Sequence, residues 1–302
     1  MWGQCQMSYK LAIFGGDARY IEVIHQLKTL ENTELLLIGF DDLEFNATNI
    51  KQIAYQTIQP ETLDAVILPI QGIGDEGIVE APFSNNNIQL TTNWFKKLRK
   101  KVPIITGVMN GFLKTLRDEL DLSVYSLMSR DDIAIYNSIP TAEGAIFLAM
   151  ENTNYTIHSA QITVLGFGRI GQTVADRFKK LGANVSIYTD NEAEQARATT
   201  QSLSAFSLRD LSRIAAYTDI LINTVPAQLI DSDLINTLKT QTLIIDLASA
   251  PGGTDFNYAK ERGIQAILAQ RLPSIVAPKT SGVMLSNVMK KLFESIEKGD
   301  RM

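Results

Sequence analysis

The stretch VLGFGRIG at 164–171 limits the fold more than any other part of the 302-residue chain. An apolar run, ITVLGFG at 162–168, ends in glycines spaced G-x-G-x-x-G. A helix-period segment follows at once, with Ile170, Val174, Phe178 and Leu181 on one face. Gly166 permits a tight turn, Gly168 lets the backbone approach a ligand closely, and Gly171 lets a helix lie against a strand. Free N–H groups and the helix dipole at such a start favour an anion. Strand, glycine turn and helix together point to a dinucleotide-binding α/β unit in which Phe167, Arg169 and Ile170 complete the pyrophosphate turn.

The next strand, NVSIYT at 184–189, ends at Thr189 and Asp190, and Asp190 stands nineteen residues after Gly171. A carboxylate there accepts the hydroxyls of an adenosine ribose and repels a 2′-phosphate, which favours NAD over NADP. The competing reading is that Asp190 caps the following helix. Two later strands, DILINTV (219–225) and TLIIDLA (242–248), end at the same sheet edge. Thr224, Val225 and Pro226 on one loop, and Leu247, Ala248 and Ser249 on the other, are therefore expected on the nicotinamide side.

The first half repeats the pattern. KLAIF (10–14), ELLLIGF (34–40), DAVILPI (64–70) and VPIITGV (102–108) alternate with helix-period stretches such as Ile21, Ile24, Leu27 and Leu30. The second half adds IQAILA (264–269). Continuous Val/Ile/Leu runs imply strands buried on both faces, hence parallel sheets covered by helices. The expected architecture is two doubly wound Rossmann-like α/β domains, residues 1–150 and 151–278. Pro140 is expected to start a helix that continues over Ala142–Met150. A last amphipathic helix, 279–302, carries Leu285, Val288, Met289, Leu292, Phe293 and Ile296 on one stripe and is expected to return to the first domain.

The first turn, FGGDAR at 14–19, keeps Gly15 but puts Asp17 and Tyr20 where the second and third glycines would stand. An aspartate facing a pyrophosphate repels it, so this domain is expected to lack a dinucleotide. Gly16, Asp17 and Arg19 then become candidates for holding a small carboxylate, against the plainer reading that Asp17 caps the helix and Arg19 faces solvent. Arg130, Asp131 and Thr141 near the domain junction are further substrate candidates, as are Gly252 and Gly253. His25 lies mid-helix and His158 precedes a strand, at the edge opposite the cofactor, so both are read as structural.

A net charge of −5 argues against nucleic acid or an anionic membrane. The longest apolar runs, such as LLLIGF (35–40), are strand-sized and no membrane partner is expected. Cys5 is the only cysteine, which rules out an internal disulfide and suits a reducing cytoplasm, and no Cys/His cluster suggests a metal. The first ten residues show no basic stretch followed by an apolar core, so no signal peptide is expected.

Taken in order, GGDAR, RDDIAIYNSIPTAEGAI, VLGFGRIG, DLASAPGGTDF and LPSIVAPKTSG resemble the A subunits of dipicolinate synthases from spore-forming bacteria, over nearly the whole chain. More distantly, DLASAPGGTDF is similar to alanine dehydrogenases. The resemblance implies oxidation of dihydrodipicolinate, or hydroxy-tetrahydrodipicolinate, to dipicolinate with NAD or NADP in the sporulating mother cell. It also implies a partner, a flavoprotein-like B subunit, and a homo-oligomer is expected. Gly166, Gly168 and Gly171 carry over for the cofactor. The GGDAR and PGGTDF stretches would flank a dicarboxylate substrate, with Lys279, Ser249 and Asp255 as candidates for anchoring it and moving a proton. Members can use NADP, and Asp190 departs from that. A regulatory subunit without turnover of its own, and an amino- or hydroxy-acid dehydrogenase of the alanine-dehydrogenase type, are the alternatives.

Overall fold

A computed structural model describes residues 9–298, so Cys5 lies outside the described residues. The chain divides into two compact units, residues 9–133 with 278–298, and residues 134–277. From sequence the seam is expected at 150; it falls after Ile133, inside the helix Asp131–Asn152.

The first unit contains β1 (Tyr9–Phe14), β2 (Thr33–Ile38), β3 (Ile50–Gln52), β4 (Ala65–Ile67), a small antiparallel hairpin β5 (Ile78–Val79) and β6 (Ile88–Gln89), then β7 (Pro103–Thr106) and β8 (Ser123–Ser126). Its six-stranded sheet runs β3-β2-β1-β4-β7-β8, all parallel. Leu11 and Ile13 of β1 face one apolar cluster, while Ala12 and Phe14 face another. Two covered faces explain why β1 reads as an unbroken apolar run. The helix Pro278–Lys298 belongs to this unit, as expected. Its Leu285, Val288, Met289 and Leu292 share a core with Tyr20, Val23, Ile24 and Leu27 of the helix Arg19–Leu27. The two helices come close at Gly282, where a Cβ would stand 2.4 Å from the Arg19 carbonyl oxygen.

The second unit repeats the plan with β9 (Gln161–Leu165), β10 (Asn184–Tyr188), β11 (Ser204–Phe206), β12 (Ile220–Asn223), β13 (Leu243–Asp246) and β14 (Ala266–Leu268). Its parallel order β11-β10-β9-β12-β13-β14 reverses direction at β9. Ligands of such sheets bind at that reversal, outside the carboxyl ends of the strands. Val174 and Phe178 of the helix Arg169–Lys180 are buried, whereas Leu181, expected on that stripe, ends the helix and is exposed.

All nine strands expected from sequence are present. The missed ones, β3, β8, β11 and the hairpin, are short, and β3, β8 and β11 are edge strands whose residues are half-buried or exposed. Edge strands lack the continuous apolar signature of strands covered on both faces. Pro140 also departs from expectation, since it lies inside a helix that begins at Asp131. Asp131 and Asp132 suit the positive end of the dipole and start the helix earlier. By length and composition this helix could cross a membrane, yet it buries Ala142, Ala145 and Ala149 in the core of the second unit.

Candidate functional site

The glycine turn joins β9 to the helix Arg169–Lys180. Gly166 has φ +83°, and a Cβ there would stand 2.7 Å from both Thr224 Oγ1 and Val225 Cγ2. A Cβ on Gly171 would meet the Gly166 carbonyl oxygen at 2.3 Å. Only the absence of a side chain lets the helix start this close to the strand. At Gly168 the nearest atom to a Cβ would be Glu194 Oε1 at 3.9 Å, so this residue faces open space. Open space at the second glycine, before the N–H groups of a helix start, is the cradle a pyrophosphate needs. Phe167 is fully buried, while Arg169 is exposed and Ile170 half-buried.

A cleft of about 390 Å³ lies over this turn, walled by Tyr188, Thr189, Glu194, Leu208, Thr224 and Val225, among others. Pro226 is exposed at its rim. Thr224 Oγ1 donates to the Leu165 carbonyl (2.7 Å), tying the β12 loop to β9. Asp190 is not among the cleft residues. Its Oδ1 accepts from Ser207 Oγ (2.7 Å) and from the Leu208 N–H (3.0 Å), which hold its carboxyl below the usual range. The expected ribose acceptor therefore anchors the neighbouring loop. The carboxylate that faces the turn belongs to Glu194: its Oε2 accepts from the Phe167 N–H (2.9 Å) and from Thr189 Oγ1 (2.7 Å). Tyr188 is fully buried and stacks on Phe206, and its hydroxyl has no hydrogen-bond partner. Burial, with the Asp210 charge, pushes that phenol up to about 12. A larger cavity of about 760 Å³ elsewhere in the unit, against Tyr136, Thr173 and Lys180, touches none of the glycines.

Asp246, at the end of β13, is fully buried and organises the adjoining loop. Oδ1 accepts from Asn223 Nδ2 (3.0 Å) and the Ala248 N–H (3.0 Å), and Oδ2 from the Gly253 N–H (2.7 Å) and Thr254 Oγ1 (2.7 Å). Gly252, at φ +87°, and Gly253 pack around this carboxylate; a Cβ on Gly253 would meet the Ala227 carbonyl oxygen at 2.3 Å. Both glycines thus serve the loop's own packing. Asp255 caps the helix Phe256–Glu261 by accepting from the Tyr258 N–H (3.0 Å), a task other than the expected proton relay. Leu247 and Ala248 are buried, and Ser249 is exposed beside them.

The first unit's turn is closed. Gly16 donates its N–H to the Glu80 carbonyl (2.9 Å), and a Cβ on Gly15 would strike that oxygen at 2.3 Å. The Tyr20 ring fills the space against Gly16 and its hydroxyl donates to the Leu68 carbonyl (2.6 Å). Arg19, buried, grips Asp17 through Nε (2.9 Å), Nη2 (2.6 Å) and its own N–H (3.1 Å), and Gln71 Nε2 adds a fourth bond to that carboxylate (2.6 Å). The guanidinium expected to hold a substrate is thus engaged by its own neighbour. Burial alone would raise the Asp17 carboxyl, but the Arg19 and Gln71 bonds bring it below its ordinary 3.8. A depressed folded value gives stability above the unfolded pKa that is lost as pH falls through the folded one. Asp17→Asn should therefore melt below the parent chain equally at pH 7 and pH 5. The gap should close below pH 3.8, as read by thermal melts across pH.

The remaining candidates fall on both units, Arg130, Asp131 and Lys279 on the first and Thr141 on the second. Arg130 pairs with Asp132 through Nε and Nη2 (3.0 Å each), and Asp131 opens the helix beside it. Thr141 is buried and donates to the Asn137 carbonyl (2.8 Å). Lys279 is exposed in the first turn of the helix Pro278–Lys298. His25 lies in the last turn of its helix beside Phe45, and His158 lies under Gly182 before β9, at the edge of that sheet opposite the glycine turn. No metal-binding cluster occurs among the described residues.

Glu194 and Asp246 are the site residues that sequence reasoning missed. Glu194 had a signal: it stands three residues after Asn191, a helix-cap spacing that places it in the first turn beside β10. Asp246 had a weaker one, a lone acid ending a buried strand.

Residues 10–128 match the family model for the N-terminal domain of the dipicolinate synthase A subunit, and 141–251 match "D-isomer specific 2-hydroxyacid dehydrogenase, NAD binding domain". The chain is 41% identical to the A subunit of dipicolinate synthase from Bacillus subtilis (strain 168), over 95% of this chain and 97% of that one. The crystal structure of dipicolinate synthase's A subunit from Bacillus subtilis superposes with a TM-score of 0.90 at 40% identity, covering 97% of this chain and 98% of that one. The corresponding crystal structure from Bacillus halodurans gives 0.89 at 39% identity, covering 95% and 98%. An open glycine turn on a second unit, a closed one on the first, and this likeness along almost the entire length lead to one conclusion: the chain belongs to the family of dipicolinate synthase A subunits.

Proposed function

We propose that the chain oxidises dihydrodipicolinate to dipicolinate with a nicotinamide dinucleotide, during sporulation and in the mother-cell cytoplasm, in partnership with a B subunit. The observation that carries this reading is the open space at Gly168 before a helix start, in a member of this family. Loss of water from hydroxy-tetrahydrodipicolinate gives dihydrodipicolinate, and loss of one hydride and one proton from that gives the aromatic pyridine dicarboxylate. The nicotinamide ring, when bound, supplies the hydride acceptor. The backbone of Gly166–Gly171 holds the pyrophosphate, and Thr224–Pro226 and Leu247–Ser249 flank the nicotinamide. The Asp246 bonds tie the latter loop to the end of β13. Ser249, exposed beside Ala248, takes the proton and passes it to water. Aromatisation drives the proton's departure, so a hydroxyl relay suffices where no histidine stands.

Reduced-nicotinamide formation from freshly generated hydroxy-tetrahydrodipicolinate, with and without the B subunit, tests the proposal. Turnover is expected with this chain present and lost in its absence. No turnover with either coenzyme, in either mixture, would overturn it.

A further inference from the structure

We infer that Glu194, and not Asp190, selects the coenzyme of the second unit, accepting the free hydroxyls of an adenosine ribose and rejecting a 2′-phosphate. The inference rests on the dinucleotide reading above. Glu194 is the third residue of the helix Glu192–Thr200, whose cap is Asn191. A glutamate at that spacing ordinarily turns back to the N–H of its own cap residue. Here the Asn191 N–H goes to Thr189 Oγ1 (3.2 Å), and the Glu194 side chain leaves its own helix for the glycine turn. Oε2 is fixed there by Phe167 and Thr189, and Oε1 borders the open space in front of Gly168.

The first unit shows that a charge is not needed to build such a turn. Its corresponding N–H, from Gly16, is satisfied by the neutral Glu80 carbonyl. In the second unit the same requirement is met by a carboxylate, and the cleft beside it stays open. A carboxylate on this wall makes charge-assisted bonds to a ribose diol and faces a phosphate dianion with like charge. Asp190 is not among the cleft residues, and its Oδ1 is engaged by Ser207 Oγ and the Leu208 N–H.

Calorimetric titration of the full chain with NAD+ and NADP+ provides the test, using the parent, Glu194→Gln and Asp190→Asn. The parent should bind NAD+ at least about tenfold more tightly than NADP+. Glu194→Gln should reduce that ratio about tenfold by tightening NADP+ and weakening NAD+, whereas Asp190→Asn should leave it within about twofold. Should Glu194→Gln fail to fold, Glu194→Asp, which keeps the charge, must retain the NAD+ preference. The inference is overturned by a parent that prefers NADP+, by an unchanged ratio in Glu194→Gln, by loss of preference in Glu194→Asp, or by a shift carried by Asp190→Asn. A parent that binds neither coenzyme overturns the dinucleotide reading itself, a result distinct from the others.

Discussion

Replacing Asp246 by alanine should lower the stability of the second unit by about 4 kcal/mol, since a buried donor without an acceptor costs about 1–3 kcal/mol. Four donors lose their acceptor at once: Asn223 Nδ2, the Ala248 and Gly253 N–H groups, and Thr254 Oγ1. Water entering the vacated space recovers part of the loss, so the four costs do not add in full. For a unit of this size, that corresponds to a fall in melting temperature of about 10–15 °C. Asp246→Asn should be milder. It keeps an acceptor for Asn223 and Ala248 but turns an NH2 group toward the Gly253 N–H, where no bond is possible. A melting temperature for Asp246→Ala within about 2 °C of the parent would show that the carboxylate does not hold this loop.

Gly171→Ala and Gly168→Ala should both lower dinucleotide affinity by about a hundredfold, but by separable routes. At Gly171 the new methyl stands 2.3 Å from the Gly166 carbonyl oxygen, backbone against backbone. The helix must withdraw from β9, which misplaces the N–H groups of its first turn and costs stability as well. At Gly168 the methyl meets nothing closer than 3.9 Å, so the protein folds unstrained and the methyl occupies ligand space instead. Binding by titration and melting without ligand separate the two. Gly168→Ala should lose affinity at an unchanged melting temperature, while Gly171→Ala loses both. Equal affinity in the parent and in Gly168→Ala would remove the pyrophosphate from this turn.

Two features made the fold legible in the sequence. Strands covered on both faces carry unbroken apolar runs, as LLLI (35–38) and ILI (220–222) do, and glycines forced by backbone contact cannot be exchanged. The C-terminal stripe from Leu285 to Leu292 was equally clear, because a helix lying on a core carries a continuous apolar face. Side-chain partnerships were less legible. Asp190 had the right position along the chain for a ribose acceptor, but Ser207 and Leu208, from beyond the next helix, engaged it. Arg19 had the right chemistry for a carboxylate and found one two residues away. Such outcomes depend on where a loop from a distant part of the chain comes to rest, which periodicity does not encode.

The hairpin connection of the first unit shows what that distant placement can achieve. Its Glu80 carbonyl sits on the Gly16 N–H, just where the matching turn of the second unit offers its corresponding N–H to a side chain beside open space. A tethered group of this kind acts at an effective concentration in the millimolar range or above, and it never diffuses away. A free dinucleotide would have to displace a covalently attached competitor before reaching a single N–H. The first unit therefore carries its occupant within its own chain, and a titration of the whole chain should give one coenzyme per chain rather than two.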